Sequence, residues 1–134
     1  MPFDGDALRV EGRLYRGKQA KARRAADLLA FVRQRFVTHE WRWIKGELSD
    51  GKGGFCILGG VIEAGQQRLT TIDGVLPYLA RAITKGRVPW PWERSPAGMR
   101  TVIEYYNDHT RSFVRVMEKL ADATIIAEAD AESG

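Results

Sequence analysis

The sequence predicts a mainly α-helical, small single-domain bundle of about five short-to-medium helices, preceded by a short N-terminal strand or extended arm. Three observations predict it. Apolar residues recur at three- and four-residue steps in several separate stretches, as in Ala22, Ala25, Leu28, Leu29, Val32 and Phe36. Helix-ending and helix-starting signals such as Gly86 and Ser95-Pro96 fall between those stretches. The length, 134 residues, suits one domain that buries roughly two-thirds of its unfolded surface.

Residues 1–17 form the arm, because Leu8, Val10 and Leu14 alternate only weakly. From Lys18 to about Val37 the period turns helical, with arginines on the opposite face. Trp41 and Trp43 lie two apart, so they share a face on a strand but not on a helix. Ser49-Asp50-Gly51-Lys52-Gly53-Gly54 is a turn, since glycine accepts the positive φ that tight loops demand. Phe55 to about Ala64 reads as a short buried helix ended by Gly65. Gly59 and Gly60 inside it cost about 1 kcal/mol each relative to alanine, which makes sense where another backbone packs closely.

The next stripe is Ile72, Val75, Leu76, Leu79, Ala82 and Ile83, with Thr70 or Thr71 as the expected cap and Asp73 in the first turn. Pro77 is comfortable only if the regular helix starts near Leu76. Gly86 ends it, and Val88-Pro89-Trp90-Pro91-Trp92 is extended and rigid. Ser95-Pro96 opens a short helix through Met99, Val102, Ile103 and Tyr106, which Asn107-Asp108 is expected to break. Asp108 or Thr110 then caps a last helix with the stripe Phe113, Val116, Met117, Leu120, Ala123 and Thr124. The helical domain spans 18–127, and 128–134 reads as a flexible acidic tail.

Composition narrows the function classes. No apolar run approaches the roughly 20 residues of a membrane span, and the first residues lack the order of a secretory signal. One cysteine forms no internal disulfide, which fits a cytoplasmic protein. Two histidines and scattered carboxylates show no metal-ligand spacing, and no cofactor motif occurs. The net charge is +4, but Arg9, Arg13, Arg16, Lys18, Lys21, Arg23 and Arg24 face only Glu11 in their stretch. Such a face permits binding to polyanions, nucleic acid included.

Cys56 is the one candidate nucleophile. A thiol at a helix N-terminus feels the positive end of the helix dipole, which lowers its pKa. With His109, Asn107 and Asp108, or with His39 as base, it matches the parts of a Cys-His-Asn or Cys-His-Asp hydrolase. The structural alternative is a buried cysteine acting as a small hydrophobe among Ile57, Leu58, Val61 and Ile62. Asn107-Asp108 is better explained as a capping pair that ends one helix and begins the next, the alternative being a polar pair lining a pocket with Cys56. Trp41, Trp43, Trp90 and Trp92 form two W-x-W pairs, either an aromatic binding platform or core at one end of the bundle.

The string Gly54-x-Cys56-x-x-Gly59-Gly60 at a helix start, followed by Asn107-Asp108 and Val116-x-x-x-Leu120-x-x-Ala123, resembles a family of small bacterial and phage domains of unknown function. In that family a G-x-C-x-x-G-A segment precedes a W-N-D or F-N-D element and a helix with a Leu-x-x-Ala pattern. The likeness covers roughly Ala22 to Ala123; Gly60 stands in place of the alanine, and the aromatic before Asn-Asp is Tyr106 rather than Trp. The resemblance implies a mainly helical fold, a bacterial or phage source and no assigned activity, and it carries over no catalytic residue.

The expected function is therefore a non-enzymatic binding module. Its partner, another protein, would dock on Arg13, Arg16, Lys18, Lys21, Arg23 and Arg24 or on the tryptophan pairs. A thiol enzyme built on Cys56 and a nucleic-acid binder are the alternatives.

Overall fold

The computed structural model describes residues 7–85 and 95–133. Among them the order is β1 (Leu8–Val10), β2 (Arg13–Tyr15), α1 (Gly17–Val37), β3 (Arg42–Trp43), β4 (Gly54–Phe55), α2 (Ile57–Gln67), α3 (Leu76–Thr84), α4 (Pro96–His109) and α5 (Phe113–Glu132). The mainly helical class is as the periodicity requires, with two small sheets added.

The arm is a hairpin. β1 pairs antiparallel with β2, Leu8 opposite Tyr15 and Val10 opposite Arg13. Glu11 and Gly12 between them both take positive φ, the conformation whose twist matches a two-residue hairpin. β3 and β4 pair in parallel, Arg42 opposite Gly54 and Trp43 opposite Phe55, so residues 44–53 loop out and return.

The core is organised on α1 and α5, the most extensively packed pair of elements. They run antiparallel: Arg33 of α1 donates to the Met117 carbonyl, while Gln19 reaches the Ser133 carbonyl at the other end. Ala25, Leu29, Val32 and Phe36 of α1 share one buried cluster with Val116, Leu120, Ala123 and Ala127 of α5. Small residues on both stripes let the two helices approach closely. α3 packs on both α4 and α5, and α2 on α1 and α4.

Several boundaries differ from the sequence reading. Gly65 does not end α2; the helix runs two residues further, and a Cβ at position 65 would meet Ile72 Cγ2 at 2.6 Å. Gly65 is there for close approach of the returning chain. α3 starts at Leu76 with Pro77 in its first turn, as proline requires, so neither Thr70 nor Thr71 caps it. Its C-cap is Lys85 in the left-handed region. Asn107 and Asp108 do not break α4, which continues through them to His109. Ser112, rather than Asp108 or Thr110, caps α5 by accepting from the Arg115 N–H.

Most of the stretch read as an acidic tail is the last turn of α5. Ala131 is fully buried beneath the hairpin with Tyr15, Ala20 and Ala22. Glu132 pairs with Arg13 and accepts from the Tyr15 hydroxyl at 3.0 Å. Asp130 accepts from the Tyr78 hydroxyl at 2.8 Å. A short acidic run among small residues resembles solvated tail in composition, but the hairpin supplies partners that lie more than a hundred positions away.

Candidate functional site

Asn107, Asp108 and Cys56 meet at one point, the start of α2. Asn107 is the only buried polar residue among those described. Its Oδ1 accepts from the Trp43 indole N–H at 2.7 Å and from the Ile57 backbone N–H at 3.0 Å. Its Nδ2 donates to the Ile44 carbonyl at 3.0 Å and to Asp108 Oδ1 at 3.2 Å. Both acceptor positions and both donors of the amide are thereby used. Asn107 does cap a helix, but a remote one: Ile57 is the first residue of α2, fifty positions back. Asp108 accepts from the Gly46 N–H at 2.9 Å and anchors the same 44–53 loop.

Cys56 is the N-cap of α2, and its Sγ accepts from the Gly59 N–H at 3.2 Å. It is 3% exposed. Burial pushes its thiol above the ordinary range, and the Asp108 and Glu104 carboxylates push the same way; hydrogen bonds from Gly59 and Leu58 oppose them. The helix-terminus effect expected to lower this pKa is thus outweighed by desolvation. The Leu48 carbonyl accepts from the Cys56 N–H at 3.3 Å. That same carbonyl oxygen occupies the place a Cβ on Gly59 would take. Gly59 is the close backbone approach that the sequence implied. At Gly60 a Cβ would meet the Phe36 and Trp41 rings at 3.2 Å.

Neither imidazole is hydrogen-bonded to the sulfur. His109 Nδ1 lies 2.8 Å from the Tyr105 carbonyl, and its ring stacks on Tyr105 at 3.9 Å. His39 stacks near Phe113, at 6.1 Å, and takes positive φ just past the end of α1. There its N–H donates to the Phe36 carbonyl, the usual closing bond of a helix end.

The tryptophans divide. Trp41 is 6% exposed, packed against Phe36, Phe31 and Phe55 at 5.6, 6.3 and 4.8 Å. It is core, and it offers no platform. Trp43 is half-buried, tied to Asn107 through its indole N–H and tilted on Phe113. Trp90 and Trp92 lie outside the described residues.

The Asp50 turn is closed on itself. Asp50 Oδ1 accepts from the Lys52 and Gly54 N–H groups at 2.8 and 2.9 Å, and Oδ2 pairs with Arg42. Those N–H bonds first, and then Arg42, hold its carboxyl below the usual range. The backbone donors that a phosphate would need are thus satisfied by the loop's own carboxylate. Among the described residues no group of three or more His, Cys, Asp or Glu could hold a metal ion.

The basic segment lies along a groove. A cavity of about 710 Å³ between α1 and the 69–75 loop is lined by Lys21, Arg24, Leu69 and Thr70, over a floor of Ala25, Leu28 and Val75. On one side it adjoins a cavity of about 240 Å³ that shares Arg24 and adds Arg68. On the other, a cavity of about 670 Å³ shares Lys21 and adds Arg16, Lys18 and Arg81. Arg23 pairs with Asp27 at 3.1 Å, Arg13 pairs with Glu132, and Arg24 donates to the Ala7 carbonyl. Lys18 and Lys21 make no hydrogen bond or ion pair among the described residues.

One groove residue carries no sequence signal of the usual kind. Leu69 follows the α2 C-cap with φ +52 and is 93% exposed. Its N–H donates to the Gln66 carbonyl, and the Thr70 N–H donates to the Gly65 carbonyl at 2.9 Å. This is the paired-bond helix end in which glycine is the usual residue at the left-handed position. The only hint in the sequence is an isolated leucine in the polar run Gln66-Gln67-Arg68-Leu69-Thr70-Thr71.

No protein-family model, curated protein or solved structure matches the chain.

Proposed function

We propose that the chain is a non-enzymatic binding module whose partner, another protein, docks on the basic face of α1. The observation that carries this reading is the pair Lys18 and Lys21, two cations without partners among the described residues, set at the rim of a continuous groove. Among the described residues six basic side chains line the three cavities against three acids, Asp27, Asp73 and Asp130, and such an excess beside a concave surface steers an oppositely charged partner and fixes its register. The residues that a catalyst would need point the other way. Cys56 is occupied as a helix cap, Asn107 has all its hydrogen bonds within the scaffold, and both imidazoles are engaged elsewhere. A thiol enzyme would need the Cys56 thiolate in reach of a base and of substrate. The bacterial or phage source is part of this proposal and is supported by the motif resemblance alone.

Affinity capture with the wild-type chain and a Lys18→Glu, Lys21→Glu variant tests the reading. Both substitutions are at exposed positions, so the two proteins should melt alike. The expected result is a protein recovered by the wild type and lost from the variant. Recovery of the same set by both would overturn the assignment of the binding face.

A further inference from the structure

We infer that the occupant of the α1 groove is an acidic amphipathic segment of a partner protein, with carboxylates on the lysines and an apolar side chain seated against Leu69. This deepens the basic-face reading and rests on it.

Three observations converge. Lys18, Lys21 and Arg24 recur every three residues on α1, a rise of roughly 4.5 Å per step, and line successive cavities of the groove, Arg24 also holding the Ala7 carbonyl. A helical partner that carries acids on successive turns matches that spacing. Next, the groove is not purely polar. Ala25, Leu28 and Val75 beneath its central cavity are themselves buried, and Leu69 at its edge is the apolar surface that a purely charged ligand would leave wet. Finally, Leu69 holds an apolar side chain almost wholly in water from a backbone conformation that disfavours it. Such an outlier, costly for the isolated fold, points to a use outside it. It stands where the central cavity and the Arg68-bearing cavity meet.

Single-stranded nucleic acid fits less well. Such sites supply aromatic rings on which bases stack. Among the described residues the one aromatic lining these three cavities is Tyr78, whose hydroxyl is bound to Asp130 and whose ring lies beneath Arg81 at 5.4 Å. A flat anionic membrane cannot enter a concave groove to reach its floor.

The test is fluorescence anisotropy on the full chain at low salt. One labelled probe is an amphipathic peptide with glutamates on one helical face and leucines beside them. The others are a glutamate-only peptide, a mixed-sequence single-stranded DNA and anionic phosphatidylserine vesicles. The variants are Lys21→Glu and Leu69→Asn; asparagine tolerates the left-handed conformation and so keeps the helix end intact. The amphipathic peptide should bind best. Lys21→Glu should weaken it by about tenfold or more. Leu69→Asn should weaken it by roughly tenfold while leaving the glutamate-only peptide unchanged. Tighter binding of DNA or vesicles, or indifference of the amphipathic peptide to Leu69→Asn, would overturn this inference and leave the basic-face reading standing. Indifference of every probe to Lys21→Glu, or binding of none, would remove both.

Discussion

The Asn107 side-chain oxygen accepts the Trp43 indole N–H at 2.7 Å, across 64 positions of sequence. The same oxygen holds the first N–H of α2, so one amide joins α4, β3 and the α2 N-terminus. Removing it leaves buried donors without acceptors, which costs far more than a solvated hydrogen bond contributes. Asn107→Ala should lower the unfolding free energy by about 3 kcal/mol, read by urea denaturation. It should also raise Trp43 fluorescence mobility. A loss under about 1 kcal/mol would show that the hub is not a hub.

Gly59 and Gly60 should respond differently to the same added methyl. At Gly59 the obstacle is the Leu48 carbonyl, backbone that is itself bonded to the Cys56 N–H. At Gly60 the obstacles are ring edges that can shift by a few tenths of an ångström. Alanine gains about 1 kcal/mol of helix propensity at either site. We expect Gly59→Ala to destabilise by about 3 kcal/mol or more and Gly60→Ala to stay within about 1 kcal/mol of wild type. Thermal melts of the two variants side by side give the comparison.

Cys56 should resist iodoacetamide near neutral pH until the chain unfolds, because the thiol is buried and its pKa is raised. The same shift has a thermodynamic sign. The folded state holds this proton more tightly than the unfolded state, so the contribution is present below the unfolded thiol pKa and fades as pH rises above it. Stability measured from pH 7 to 10 should therefore fall more steeply for wild type than for Cys56→Ser. Parallel curves for the two would contradict this. The serine hydroxyl keeps the cap, and Cys56→Ala should lose about 1 kcal/mol more than Cys56→Ser.

Leu69→Gly should stabilise the isolated chain. Glycine adopts the left-handed position without the Cβ clash, and the leucine it replaces makes little contact with the fold. An increase of about 1 kcal/mol is expected, seen as a higher Tm. A fall in stability would mean that the leucine packs in the free protein.

Much of the fold was legible because local chemistry decided it. The α1 and α5 stripes, the Ser95-Pro96 start and the placement of Pro77 follow from period and from proline stereochemistry. The close approach at Gly59 was legible from the cost of glycine in a helix. What misled were residues whose partners are distant. Asn107 and Asp108 have the composition of a helix break, yet their acceptors serve Ile57 and Gly46. Trp41 and Trp43 left a platform and a core reading open, and Trp41 takes the core one, filling the space beside Gly60. The end of α2 was misplaced for a related reason: Leu69 takes the left-handed role usually given to glycine, as His39 and Lys85 do after α1 and α3. No composition rule anticipates a leucine there.

The pairing of the first helix with the last has a kinetic meaning. Their packing is the most extensive between elements of the described residues, and the bonds that link them span 84 and 114 positions of sequence. Contacts of such long sequence separation demand costly loop closure before they are rewarded, and they slow folding relative to bundles of neighbouring helices. During synthesis, α1 through α4 would leave the ribosome with their shared apolar face still wet. Only the arrival of α5 can seal it, so the stretch from α1 to α4 is open to aggregation until α5 has been made.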